Sequence, residues 1–247
     1  MTATNIVVGK CTKLEDFQSC VELQREIWGE ADLEIEPTTM FVVASLTGGQ
    51  ILGAFDDGKL VGYTLAVVGV RKGAPYLHSH QTGVHAKYRD LGVGRMLKVF
   101  QREEALSRGI RRIEWTFDPL ELKNAHFNLN RLGAICRQYI PNLYGITTSP
   151  LHRGLATDRL VAEWYLDSER VADAIGGKSR ESGDASTVIE LPAALDEWKH
   201  RDCAKLKSVQ EHIRKEFTER FAGGYAAVAV QKRSSGTAYV LARGSDS

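Results

Sequence analysis

Apolar residues recur at helical spacing between Leu14 and Trp28, at Phe17, Val21, Leu23 and Ile27, and Gly29 stops the run. This predicts an amphipathic helix following a short strand at Ile6–Val8. An irregular stretch through Pro37 leads to an apolar run, Met40–Leu46, and then to a strand at Ile51–Phe55. Asp56-Asp57-Gly58 is a turn signal between that strand and Leu60–Val70, which predicts a hairpin. A further strand is expected from Tyr76 to His85. A helix is expected from about Gly92 to Ser107, burying Val93, Met96, Leu97 and Phe100, with Gly109 at its C-terminus. Ile113, Trp115 and Phe117 alternate, so Arg112–Phe117 reads as a strand with one apolar face. A short helix around Asn124–Leu132 should end at Gly133, and strand-like segments follow, the last at Leu160–Leu166.

Ala174–Ser186 is small, polar and glycine-containing, and reads as an exposed loop. Beyond it, Trp198, Leu206, Val209, Ile213, Phe217 and Phe221 keep a helical stripe until Gly223-Gly224. Ala226–Val230 and Ala238–Ala242 then read as a hairpin turning at Ser234-Ser235-Gly236. The fold class is α+β, with a mixed, mostly antiparallel sheet. The expected organisation is a core over residues 1–168, a loop or linker over 169–186, and a C-terminal helix and hairpin over 187–247 that pack on the core.

Composition narrows the function. The chain has 247 residues, and Lys+Arg 32 against Asp+Glu 31 leave a formal net charge of +1. A nucleic-acid binder usually carries a strong basic excess, so that class is disfavoured. No apolar run reaches the length of a membrane span, and Met1–Lys10 lacks a signal-peptide pattern. Cys11, Cys20, Cys136 and Cys203 are far apart, which suits neither a zinc cluster nor a disulfide framework. The expectation is a reduced, cytoplasmic protein without a metal.

The most informative segment is Val84-His85-Ala86-Lys87-Tyr88-Arg89-Asp90-Leu91-Gly92-Val93-Gly94-Arg95. A strand ends, the chain turns, and a helix opens on glycines. The free N–H groups and positive dipole end of such a helix make an anion site. Gly92 and Gly94 let phosphate oxygens approach the main chain, and Arg89 and Arg95 add charge. A Walker loop is excluded because Arg95-Met96 follows Gly94. A Rossmann fingerprint is excluded because Leu97 stands where its third glycine belongs.

R-x-x-G-x-G after an apolar strand, then an amphipathic helix, a second strand and a short helix ending in Leu132-Gly133, resembles the GNAT acyltransferase superfamily. Asn124-Ala125-His126-Phe127-Asn128, Arg131-Leu132-Gly133-Ala134 and Ser79-His80 followed by Gly83-Val84 are similar to a bacterial branch of that superfamily. The resemblance implies a three-layer α/β/α fold with splayed central strands. It also implies coenzyme A pyrophosphate at Arg89–Gly94, with Val84, Ala86, Leu91, Val93, Arg95, Asn124 and Asn128 as further coenzyme-binding positions. The co-substrate would be acetyl-CoA or another acyl-CoA, and the acceptor the amine of a small molecule.

The implied reaction is direct attack of an amine on a thioester. The carbonyl must be polarised by a preorganised donor, for which the family's splayed strand matches Val84 beside Gly83, where a bulge would be natural. The amine must lose a proton, and His78 and His80, two apart on one strand face, are the candidate bases, with His80 nearer the expected bulge. Glu114 and Asp118 flank the facing strand, where structural roles serve equally well. The departing thiolate needs a proton, and here the chain departs from the family, since Leu129 occupies the usual tyrosine position. Tyr144 is the candidate substitute, Tyr139 and water being the others. Trp28, Trp115 and Trp164 read as core. N-succinyl transfer to amino acids and non-catalytic acyl-CoA binding stay open as alternatives. For the C-terminal part, covering the acceptor cleft and forming a homodimer contact are both open.

Overall fold

The computed structural model describes residues 5–29, 35–145, 154–178 and 187–244. The chain divides into two compact units, Met1–Glu114 and Trp115–Ser247.

In the first unit, β1 (Ile6–Lys10), β2 (Gln50–Asp56), β3 (Lys59–Arg71) and β4 (Ala74–Val84) pair in that order, each antiparallel to the next. The start of β5 (Arg112–Phe117) runs parallel to β4, with Leu77 opposite Ile113 and His78 opposite Glu114. Two helices, α1 (Leu14–Trp28) and α2 (Thr38–Leu46), cover one face: Phe17, Cys20, Leu23, Phe41 and Ala44 pack with Ile51, Tyr63 and Leu65. On the other face lies α3 (Val93–Ser107), whose Val93 and Leu97 pack with Leu52, Ala54 and Val61. The unit therefore has three layers, as alternating strand residues facing two apolar helix layers require. The apolar run at Met40–Leu46 is helical: its buried residues, Phe41 and Ala44, are three apart. Met96, expected in the buried stripe of α3, is exposed.

In the second unit, α4 (Leu122–His126) passes into a π-helical turn at Phe127–Arg131. The strand order is β7 (Arg159–Tyr165), β6 (Ile135–Ile140), β9 (Tyr225–Arg233), β10 (Gly236–Arg243) and β8 (Thr187–Pro192). Strand β8 is not among the expected elements, although Ile189 and Leu191 alternate with the exposed Glu190. Glu169–Ile175 forms α5, capped by the Ser168 hydroxyl accepting from Val171 N–H. The segment 179–186 of the expected loop lies outside the described residues. The single helix expected after Trp198 is two helices, α6 (Leu195–Arg201) and α7 (Cys203–Ala222). Asp202 separates them because its carboxylate caps α7, accepting from Lys205 N–H at 3.0 Å. Phe217 of α7 stacks on Tyr139 and meets Tyr239 edge-on, at ring separations of 5.6 and 5.1 Å. No helix among the described residues is long and apolar enough to cross a membrane.

Candidate active site

The strand–turn–helix expected after β4 is present. The chain leaves Val84, makes a 3-10 turn over Ala86–Tyr88, and enters α3 through Gly92. His85 caps the short turn, Nδ1 accepting from Lys87 N–H, and the Tyr88 hydroxyl donates to Asp56 at 2.8 Å. Asp90 and Gly92 both take positive φ, +63° and +83°. A left-handed non-glycine residue carries local strain, and such residues concentrate at ligand sites.

No side chain caps α3, so its first N–H groups, which have no intrahelical acceptors, head the helix together with its positive dipole end. A Cβ on Gly92 would meet nothing within 4 Å, and one on Gly94 only a Val84 methyl at 3.9 Å. Open space over unsatisfied amide donors fits a phosphate-bearing group. Arg89 Nε donates to the Val84 carbonyl at 3.2 Å, tying the loop to the strand end. Leu91 is exposed, whereas Val93 is buried in the core, so only the Val93 main chain can face a ligand. Ala86 is exposed and Arg95 half-buried.

Strand β4 carries a bulge, but three residues before the place expected. Leu65 of β3 pairs with Gln81 and Ala66 with Ser79, which leaves His80 as the extra residue. Gly83 stays in register opposite Tyr63. It is glycine for a packing reason, since a Cβ there would come within 2.8 Å of the Ile27 Cδ1 of α1. His78 and His80 remain neighbours, their rings 6.5 Å apart. Burial pushes the His78 imidazole below its ordinary pKa, assisted by the charges of His80, Lys98 and Arg71.

His80 is the solvent-accessible member of the pair, and its Nε2 lies 2.7 Å from Glu36 Oε1. A carboxylate accepts only, so Nε2 carries the proton and the lone pair of a neutral ring sits on Nδ1. Glu36 is itself held in place. Gln24, fully buried on α1, accepts from Glu36 N–H at 3.0 Å and donates to the Glu36 carbonyl at 3.2 Å. Neither Glu36 nor Gln24 was singled out from the sequence. A signal existed for Gln24: it falls seven residues after Phe17 on the buried stripe of α1, where a polar side chain demands a partner.

Glu114 is buried and engaged by Arg71 and Arg112, an ion-paired structural group rather than a base. In the second unit, Asp118 accepts from Leu120 N–H at 2.8 Å and burial raises its pKa. Tyr139 is buried and donates to Asp158 at 2.6 Å. Tyr144 is half exposed; its hydroxyl lies 2.9 Å from Thr116 Oγ1 and its main-chain N–H donates to Thr157 Oγ1 at 2.8 Å. Asn124 is exposed inside α4, not at its cap. Asn128 sits in the π turn, is 2% exposed, and its Nδ2 has no partner among the described residues. Leu129 is buried core. Trp115 and Trp164 are buried and stack edge-on at 5.8 Å, and Trp28 meets Tyr63 edge-on at 6.2 Å.

Comparison with known proteins bears on the fold. The family model described as Acetyltransferase (GNAT) family matches residues 17–133. No curated protein matches the chain in sequence. Among solved structures, the ribosomal-protein-S18-alanine N-acetyltransferase of Escherichia coli superposes with a TM-score of 0.52 at 13% identity, covering 66% of this chain and 95% of that one. The yncA protein of Salmonella typhimurium, solved with its cofactor acetyl-CoA, gives 0.52 at 16% identity over 66% and 95%. Arabidopsis thaliana Naa50, in complex with the bisubstrate analogue CoA-Ac-MVNAL, gives 0.51 at 14% identity over 64% and 97%. At these identities the likeness is one of fold. Residues 17–133, from α1 through the glycine-headed α3 to Gly133, thus match the GNAT acetyltransferase family model, and the fold is the one these solved N-acetyltransferases share.

Proposed function

We propose that the protein transfers an acetyl group from acetyl-CoA to the amine of a small molecule, with His80 as the base. The observation that carries the reading is the Glu36–His80 contact at 2.7 Å, in the same unit as the uncapped N-terminus of α3. Acetyl-CoA supplies an activated acyl group on a good leaving thiol. The N–H groups of Gly92, Val93 and Gly94, with Arg89 and Arg95, hold its diphosphate, and the exposed main chain at Ala86 and Leu91 borders it. The Val84 main chain, at the end of β4, is the donor assigned to the thioester carbonyl.

His80 Nδ1 takes the proton from the acceptor ammonium, and Glu36 stabilises the imidazolium that results. His78, kept neutral by burial, lines the same strand face as a secondary candidate. Water is assigned as the proton source for the departing thiolate; Tyr144, Asn124 and Asn128 belong to the second unit, where the orphaned Nδ2 of Asn128 is a donor for a ligand carbonyl. The near-zero net charge supports a small acceptor over an acidic or basic macromolecule.

Isothermal titration with CoA, acetyl-CoA and succinyl-CoA, followed by thiol-release assays over small amines, amino acids and peptide α-amines, tests the reading. Acetyl-CoA binding with turnover of a small amine supports it. Preference for succinyl-CoA would redirect it to N-succinyl transfer. Binding without turnover on any amine would leave a non-catalytic acyl-CoA binder, and no binding would remove the function of the Gly92–Gly94 loop.

A further inference from the structure

Beneath the strand that carries His80, on its α3 side, is a polar cluster that the reaction does not use. Lys98 of α3 is 3% exposed, and its ammonium donates to Ser79 Oγ at 2.8 Å and to Gln101 Oε1 at 3.0 Å. Ser79 is itself buried and lies 3.4 Å from both polar atoms of the Gln101 amide. Gln101 is fully buried, and its main-chain carbonyl accepts from Gln50 Nε2 of β2 at 3.1 Å. Gln50 also bonds Glu104, which pairs with Lys10 and Arg108. A lysine is rarely this buried without a purpose, because removing its charge from water costs several kcal/mol unless its donors are used.

The location of the cluster is informative. Ser79 is the residue immediately before the bulge, and its side chain points to α3 while His80 reaches Glu36 near the start of α2. A bulged residue lacks a ladder partner, so its direction is set by whatever fixes its neighbours. On one side Gln81 accepts from the Tyr63 hydroxyl at 2.7 Å. On the other, Ser79 is fixed by Lys98. Lys98 also lies on the helix whose N-terminus heads the phosphate-binding loop, so one side chain connects that helix to the strand of the base.

We infer that Lys98, through Ser79, is a positioning residue that holds the β4 bulge so that His80 presents Nε2 to Glu36 and leaves Nδ1 free as the base. The inference rests on the reading of His80 as the base. Its test is independent of any acceptor. Ring-nitrogen chemical shifts of the 15N-histidine-labelled protein report which nitrogen of His80 is protonated, with His80→Gln assigning the resonance, and titration with CoA reports the phosphate loop.

The expected result is a predominant Nε2–H tautomer for His80 in the natural protein. In Ser79→Ala and Lys98→Met this should shift to a mixture of tautomers, while the dissociation constant for CoA stays within about twofold. Ser79→Thr, which keeps the hydroxyl in a strand-compatible residue, should restore the tautomer. If Lys98→Met fails to fold, the Ser79 pair decides. Unchanged His80 shifts in a folded Ser79→Ala protein would overturn the inference. A natural protein with no Nε2–H preference would instead overturn the Glu36–His80 dyad itself, a failure separate from that of Lys98.

Discussion

Glu36 and His80 are 44 residues apart in the chain and 2.7 Å apart in space. The pair exists because Gln24 clamps both main-chain polar groups of Glu36 and because β4 bulges at His80. Neither partner occupies a recognisable sequence motif with the other.

The dyad makes unequal kinetic demands on its two members. His80→Gln removes the proposed base and should lower kcat by roughly 10²-fold or more, with the KM for acetyl-CoA little changed. Glu36→Gln keeps an acceptor for Nε2–H but not the charge, and should lower kcat by roughly tenfold. Steady-state kinetics on the best acceptor measure both, and equal activity of His80→Gln and the natural protein would exclude His80 as the base.

At the loop proposed to hold the diphosphate, Gly92 has room for a methyl group but sits at a φ of +83°. Gly92→Ala therefore costs about 1–2 kcal/mol of left-handed strain, relieved by moving the N–H groups that head α3. CoA affinity measured by calorimetry should fall by roughly tenfold or more. An unchanged dissociation constant would mean that the loop is not the anion site.

Lys98 gives the stability a pH dependence of known sign. Burial lowers its pKa from 10.5 to about 7. Between those values the unfolded chain binds more protons than the folded one, so this group makes stability rise with pH from about 7 upward. Below pH 7 both states are protonated and the burial penalty is constant. Urea unfolding at pH 7 and pH 9 should show the natural protein gaining stability relative to Lys98→Met, whose own profile lacks this rise. Parallel profiles would mean that folding does not lower the Lys98 pKa and that its ammonium stays charged in the folded protein.

In the second unit, Asp158 is fully buried and accepts from Tyr139, from Asn142 N–H, and from Arg214 through two bonds of 2.9 Å each. Asp158→Asn leaves the Arg214 guanidinium without its counter-charge and one donor facing another. Because Arg214 is partly exposed, the expected loss is about 2–3 kcal/mol, below the full cost of breaking a buried pair. Chemical denaturation measures it, and a change within 0.5 kcal/mol would show the cluster to be dispensable.

The strands and helices of the first unit were legible where periodicity was long, as in α1, α3 and the β2–β3 hairpin. The apolar run that became α2 was not assigned, because its sequence is apolar on all sides and only the contacts of Phe41 and Ala44 distinguish a helix from a strand. The break at Asp202 was missed because a cap inside a continuous apolar stripe does not interrupt the stripe. The bulge was expected at Gly83 because glycine tolerates irregular backbone. That glycine instead serves the close approach of Ile27, and the bulge falls on a histidine with no local sign of it.

By itself the sequence determined the glycine turn that opens α3. Positive φ at Gly92, an amphipathic helix opening there and a strand ending before it are all local properties, set by residues within one turn of each other. Only the tertiary structure decided which histidine faces a carboxylate, that Glu36 is its partner, and that a lysine lies buried beneath the same strand. Those relationships join α1, the residues before α2, β4 and α3. They arise from burial, where each polar group must find a partner from whatever element packs against it, and no spacing along the chain encodes that choice.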